Sequence, residues 1–239
     1  MKSLHLGGLD ALVVTPEPSE AHAPSCVVLL HGFGAPGTDL VPLAHELRAP
    51  AGTHFVFPAA PNGVDFGMPG PHAGRAWWHI DMMQLQVALM TRNLEGLATN
   101  HPPGLDEARE GLSKFLDALL PELGVAPERL VIGGFSQGAM LTCDLALRET
   151  RALAGLVQLS GTMICQAEWL PLMSRRSGLP VFQSHAPDDP ILPYELAERL
   201  QEALRGGGMA AEFVRFRGGH GIGGPALTGL SQFLVRVLS

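Results

Sequence analysis

The sequence predicts an α/β fold built on a mostly parallel central sheet with helices on both faces. Three observations carry this. Apolar runs without alternation, such as Cys26–Leu30 and Gly155–Leu159, recur along the chain, as strands covered on both faces require. Segments with helical apolar spacing separate them. Glycine-bearing loops close several of the strands, so the pattern reads strand, loop, helix, strand.

Short apolar runs at 4–7 and 11–15, parted by Gly7-Gly8, predict an N-terminal hairpin, and Pro16 to Pro24 reads as a connector. After the strand Cys26–Leu30 comes the loop His31-Gly32-Phe33-Gly34. A helix is expected from Asp39 to about Arg48, then a short strand Phe55–Phe57 stopped by Pro58. Residues 59–104 form an excursion of a length that is often functional in such folds. It carries Met68, Trp77, Trp78 and an apolar helix with Met82, Met83, Leu85, Leu89 and Met90. Asp106 begins an amphipathic helix, with Ala108, Leu112, Phe115, Leu116, Leu119 and Leu120 on its apolar face. The strand Leu130–Ile132 follows, then a helix. Beyond them lie the strand 155–159, a helical stretch Trp169–Arg176, the strand Pro180–His185, a helix Tyr194–Arg205, an alternating edge strand Glu212–Phe216 and a last helix.

The 239 residues suffice for one domain with a sizeable core, and nothing forces a second, so residues 1–239 are read as one unit. A hydrophobic content of 46%, with 16% charged residues, describes a globular chain. The net charge of −7 argues against nucleic acid or an anionic membrane as partner. No apolar run approaches the ~18 residues of a membrane span, and Met1–His5 does not open a signal peptide. Cys26, Cys143 and Cys165 are odd in number and lie in apolar segments, so they read as free buried thiols in a reducing compartment, by default the cytoplasm.

The chemistry gathers around Leu130–Met140, LVIGGFSQGAM. Gly134-Phe135-Ser136-Gln137-Gly138 fits G-x-S-x-G with a strand before it and a helix behind it, the context that makes the serine a nucleophile. An ordinary helix-capping serine in a glycine-rich turn is the bland alternative. A serine hydroxyl needs a base, and a histidine base needs a carboxylate to fix its tautomer. In open α/β sheets these groups collect beyond the carboxyl ends of the strands. His220, in a glycine-flanked loop after the last strand, is the expected base, whereas His31 is placed to brace its own turn. Asp188 and Asp189 compete for the acid, and only one can orient the base. The order Ser, Asp, His is that of α/β-hydrolases. Backbone N–H groups of Gln137 and Phe33 are the expected oxyanion donors. No metal or cofactor is implied: His45-Glu46 lacks the second histidine of H-E-x-x-H, there is no CxxC, and no Gly-Lys-Ser/Thr follows Gly133-Gly134.

Leu30-His31-Gly32-Phe33-Gly34, Gly134–Ala139, Asp189-Pro190-x-x-Pro193 and Gly219-His220 together resemble the phospholipase/carboxylesterase family, which includes carboxylesterases, acyl-protein thioesterases and lysophospholipases. The resemblance runs from about residue 25 to the C-terminus. It implies Ser136 as nucleophile, His220 as base and Asp189, just before the Pro-x-x-Pro pattern, as acid, with Phe33 and Gln137 as oxyanion donors. Ala76–Ile80 looks like the family's Trp-aromatic-Asp segment beside the acyl site, with His79 in the aspartate's place. Ala186 replaces the glycine after His185, and Asn62–Arg75 is longer than usual.

The expected activity is that of a serine carboxylic-ester hydrolase acting on a small acyl ester without a stable membrane anchor, with room left for a homodimer. Acyl-protein thioesterase or lysophospholipase activity is the alternative, and a non-catalytic binding module a more distant one. Trp77, Trp78 and Met68 are the candidate acyl-site residues. The Met/Leu helix after them reads equally as pocket wall or as the buried face of a core helix.

Overall fold

A computed structural model describes residues 1–16, 23–65 and 73–239. The strands are β1 (Lys2–Leu6), β2 (Leu9–Val14), β3 (Ser25–Leu30), β4 (Thr53–Pro58), β5 (Asn62–Val64), β6 (Gly74–Ala76), β7 (Leu130–Phe135), β8 (Gly155–Leu159), β9 (Pro180–His185) and β10 (Ala210–Arg215). The helices are α1 (Leu43–Glu46), α2 (Met82–Met90), α3 (Leu94–Thr99), α4 (Leu105–Leu123), α5 (Gln137–Arg148), α6 (Gln166–Trp169), α7 (Tyr194–Gly206) and α8 (Gly224–Leu238).

Eight strands form one sheet in the order β1-β2-β4-β3-β7-β8-β9-β10. The β1–β2 hairpin and the β2–β4 pair are antiparallel, and every other pairing is parallel. Side-chain alternation splits the core between the two faces. Cys26, Val28 and Leu30 of β3 share a cluster with Leu112, Phe115 and Leu116 of α4, Leu141 and Leu145 of α5, and Leu196 and Leu200 of α7. Val27 and Leu29 point the other way, to Leu43 of α1 and Leu230, Phe233 and Leu234 of α8. β3 is buried along its whole length, whereas β10, at the sheet edge, is only partly covered.

The expected sheet and helices are present, with shifted ends. The helix expected over Asp39–Arg48 contracts to the single turn of α1, preceded by turns from Gly37 to Pro42. Pro42 there lacks the N–H a longer helix would use. Pro58 is the last residue of β4 rather than a stop before it, and α4 starts at Leu105 after Gly104, whose φ of 89° suits glycine. The 169–176 stretch is a 3-10 helix over Leu170–Arg176 following α6. Most of the 16–24 connector lies outside the described residues, as does Met68. The rest of the excursion is a two-stranded hairpin, β5–β6, followed by α2 and α3. Among the described residues no helix is long and apolar enough to cross a membrane.

Candidate active site

β7 delivers Ser136 at the turn into α5. Its φ of 54° and ψ of −117° are unusual for a residue with a side chain, and such a conformation costs of order 1–3 kcal/mol and persists only where the surroundings impose it. Here they do. Ser136 N–H donates to Leu159 O of β8 at 2.9 Å, and Ser136 O accepts from Met140 N at 3.1 Å. The flanking glycines permit the closeness: a Cβ on Gly134 would lie 2.5 Å from Leu30 O, and one on Gly138 would lie closer still to the same oxygen. Ser136 thus stands where β3 and α5 approach as tightly as backbone allows.

His220 Nε2 lies 2.9 Å from Ser136 Oγ, and His220 Nδ1 lies 2.7 Å from Asp189 Oδ2. The ring rests against Phe135, centroids 4.8 Å apart. The loop carrying it is tied down by Ser160, whose Oγ donates to Gly221 O at 2.9 Å. The Asp189 side chain is wholly buried. Its Oδ1 accepts from Ile191 N at 2.8 Å and Leu192 N at 2.9 Å. Burial alone would raise this carboxyl, but hydrogen bonds from His185, His220 and the two backbone N–H groups outweigh it and hold Asp189 well below the usual carboxylate range. Asp188 is exposed and accepts from Gly218 N at 3.3 Å, so the two aspartates separate as their adjacency requires.

His31 is buried and braces its turn. Its Nδ1 donates to Gly32 O at 2.8 Å, which leaves Nε2 to accept from Ala60 N at 3.1 Å. Burial is the main reason its pKa falls to about 4, so it is neutral at pH 7. The side chain of Gln137 makes a second brace, accepting from Trp77 N at 2.9 Å and donating to Trp78 O at 2.8 Å. Trp77 Nε1 donates to His31 O at 3.0 Å. Trp77 and Trp78 are therefore fixed directly over the Ser136 turn.

A cavity of about 1270 Å³ opens there. Ser136, Gln137, His220 and Phe33 line its floor, and Trp77, Trp78, His79, Met82, Leu85 and Leu97 contribute to its walls. The α2 helix is neither of the things its composition suggested in pure form. Met82 and Leu85 face the cavity, yet no residue of α2 is buried, and Met83, Val87 and Met90 are exposed. His101, Cys165 and Glu168 bring potential ligand atoms within 4.8 Å of one another. However, His101 pairs with Glu168 at 2.7 Å, Glu168 pairs with Arg148 at 2.6 Å, and burial pushes the Cys165 thiol up to about 12. A neutral thiol beside an ion-pair network fits a metal poorly. Cys26, Cys143 and Cys165 are free and buried.

The structure thus brings Ser136, Asp189, His220, Phe33, Gln137, Trp77 and Trp78 to one cavity rim or its support. Sequence reasoning did not assign the Gln137 side chain, His185 or Ser160. His185 and Ser160 end or directly follow buried parallel strands, a position that singles out polar residues for attention.

The family model described as Phospholipase/Carboxylesterase matches residues 11–238. The chain is 31% identical over 181 residues to a protein named acyl-protein thioesterase 1 from Kluyveromyces lactis, covering 72% of this chain and 73% of the relative. It is 27% identical over 225 residues to one of the same name from Emericella nidulans, covering 89% and 90%. Among solved structures it is similar to esterase PE8, with a TM-score of 0.77 and 27% identity over 97% of this chain and 99% of that one. A carboxylesterase from Mesorhizobium loti shares the fold, with a TM-score of 0.75 at 18% identity, over 97% of this chain and 98% of that one. With its sheet order and this match over nearly its whole length, the chain belongs to the phospholipase/carboxylesterase family of α/β-hydrolases.

Proposed function

We propose that the protein is a serine carboxylic-ester hydrolase acting on short- to medium-chain acyl esters through an acyl-enzyme. The observation that carries this reading is the unbroken hydrogen-bonded series from Ser136 Oγ through His220 to Asp189, at 2.9 and 2.7 Å, on the floor of a largely apolar cavity. Ser136 Oγ attacks the ester carbonyl carbon as His220 Nε2 takes its proton, and Asp189 stabilises the imidazolium. The N–H groups of Gln137 and Phe33 receive the developing oxyanion, a role in which each donor is worth roughly 2.7–4 kcal/mol. His220 returns the proton to the leaving alcohol. A water, activated by the same histidine, then releases the acid and frees Ser136. Trp77 and Trp78 form the acyl wall.

Thioester hydrolysis is the second reading, favoured by the name of the fungal relatives. A thiolate leaves more easily than an alkoxide, so the same residues serve both. The test is hydrolysis of p-nitrophenyl esters from acetate to palmitate beside an acyl thioester, by wild type and Ser136→Ala. Ester turnover peaking at short or medium chains, and lost about 10⁴-fold or more in the variant, supports the proposal. Preference for the thioester moves the assignment to an acyl thioesterase, and preference for the longest chains moves it towards a lysophospholipase. Comparable rates in the variant would remove Ser136 from the reaction.

A further inference from the structure

His185 is the last residue of β9 and has no exposed surface. Its Nε2 lies 3.1 Å from Leu192 O and 3.3 Å from Asp189 Oδ2. Both neighbours are acceptors, so a proton sits on Nε2, donated to Leu192 O and lying beside Asp189 Oδ2. Nδ1, buried with no hydrogen-bond partner, carries the lone pair. Asp189 Oδ2 is also the oxygen that His220 Nδ1 addresses. The carboxylate is therefore held by three hydrogen bonds, two from backbone N–H groups to Oδ1 and one from His220 to Oδ2, with His185 Nε2 in close polar contact with Oδ2 at 3.3 Å.

We propose that His185 is a positioning residue for the base, its Nε2–H beside Asp189 Oδ2 keeping that oxygen aimed at His220 Nδ1. This rests on the hydrolase reading above. The physical case is one of geometry and charge. Oδ1 is fixed by its own loop, but those bonds leave the carboxylate able to tilt about the Oδ1 anchor. A donor on Oδ2 removes that freedom. With Nδ1 facing no acceptor, His185 offers the carboxylate a single N–H, which orients Oδ2 and leaves His220 as its hydrogen-bonded partner. A lysine or arginine at this place would form an ion pair and compete with His220. The rest of the surroundings suit this division. Tyr194 of α7 lies beside the His185 ring at a tilted angle of 57°, with centroids 6.0 Å apart. Arg215 of β10, the register partner of His185, lies over the Tyr194 ring and pairs with Glu198 at 3.1 Å. The titratable and charged groups around His185 are thus Asp189 and His220 on the loop side, with Tyr194, Arg215 and Glu198 on the other. Asp189 is the carboxylate among them that His185 contacts.

The test compares His185→Gln, whose amide reaches the place of Nε2, with His185→Leu, which has no donor, and His185→Asn, whose amide is too short. Two readouts are taken on full-length protein: kcat and KM for a p-nitrophenyl ester, and the far-downfield proton resonance of the His220 Nδ1–H to Asp189 hydrogen bond. The expected result is a kcat reduced ~10–100-fold at unchanged KM in the leucine variant, with the resonance shifted or lost, and both recovered in the glutamine variant. Should the leucine variant fail to fold, the asparagine variant takes its place with the same expectation. An unmoved resonance, a kcat like wild type, or a glutamine variant as impaired as the donor-free one would overturn the proposal. If wild type hydrolyses no ester or thioester, the hydrolase reading fails, yet the resonance still decides whether His185 holds Asp189.

Discussion

The floor and the wall of the cavity are built by different rules. At the floor, Ser136, His220 and the supporting Asp189 come from three separate strand ends, and each is fixed by contacts distant in sequence. Asp189 alone accepts three hydrogen bonds and has His185 Nε2 3.3 Å from Oδ2. The wall at α2 and α3 is held locally. Asp81 caps α2 by accepting from Gln84 N, and Asn93 caps α3 by accepting from Gly96 N, both at 2.9 Å. Ties from α3 and the turn before it to α7 include the surface ion pairs Arg92–Glu195 and Glu95–Arg199, of a kind worth ~0–1 kcal/mol. Between the two regions stand His31 and Gln137, which bind the start of the wall, Trp77 and Trp78, to the floor. The difference matches the tasks. Bond-making atoms must be held to within a fraction of an ångström, whereas a wall that, on the proposed function, meets acyl chains gains from adaptable methionines.

The largest effects are expected at the floor. Asp189→Asn should lower kcat on the order of 10⁴-fold, because the amide cannot hold the same His220 tautomer. Asp188→Asn should change it by no more than a few-fold. Steady-state kinetics on the two variants checks this, and equal losses would erase the distinction between the aspartates.

At the joint, His31 predicts a pH effect on stability. Its folded pKa of about 4 lies below the ordinary 6.5, so between these values the unfolded chain binds a proton that the folded chain does not. Stability from this group is therefore intact above pH 6.5 and falls as the pH drops towards 4, by roughly 3 kcal/mol. Asp189 does not contribute in this window: its folded pKa is depressed, so its stability is present above the ordinary carboxylate value and is lost only in stronger acid. Urea unfolding at pH 7.5 and 4.5 measures the slope, and His31→Gln should flatten it.

At the wall, Met83→Ser with Met90→Ser should leave the unfolding free energy within about 0.5 kcal/mol, as both side chains are exposed. Met82→Ala, by contrast, should shift the preferred acyl length while leaving turnover of p-nitrophenyl acetate within about two-fold, since Met82 lines the cavity and makes no hydrogen bond to Ser136, His220 or Asp189. Chain-length profiles and unfolding curves of these variants sharpen the contrast with Asp189.

The floor was more legible in the sequence than the wall, for physical reasons. A serine at a crowded strand-to-helix turn forces glycines beside it, and Gly134 and Gly138 write that crowding into the sequence. Parallel strands buried on both faces write themselves as unbroken apolar runs. The choice of Asp189 over Asp188 has no such local mark and came from the Pro190–Pro193 resemblance. Gln137 and His185 act through bonds to residues that share no local pattern with them, Gln137 reaching Trp77 sixty positions away. α2 misled for a different reason. Its apolar residues surround the helix, so no periodic face betrayed that the helix lies on the surface.

The most direct test is to trap the acyl-enzyme. The protein is mixed with p-nitrophenyl butyrate, quenched in acid within the first turnovers, and its peptides are mapped by mass spectrometry. The account predicts a butyryl group on Ser136, with more of it accumulating in Asp189→Asn if deacylation slows more than acylation. Nitrophenol released in a burst with the butyryl group on another residue, or steady turnover in Ser136→Ala at the wild-type rate, would contradict it.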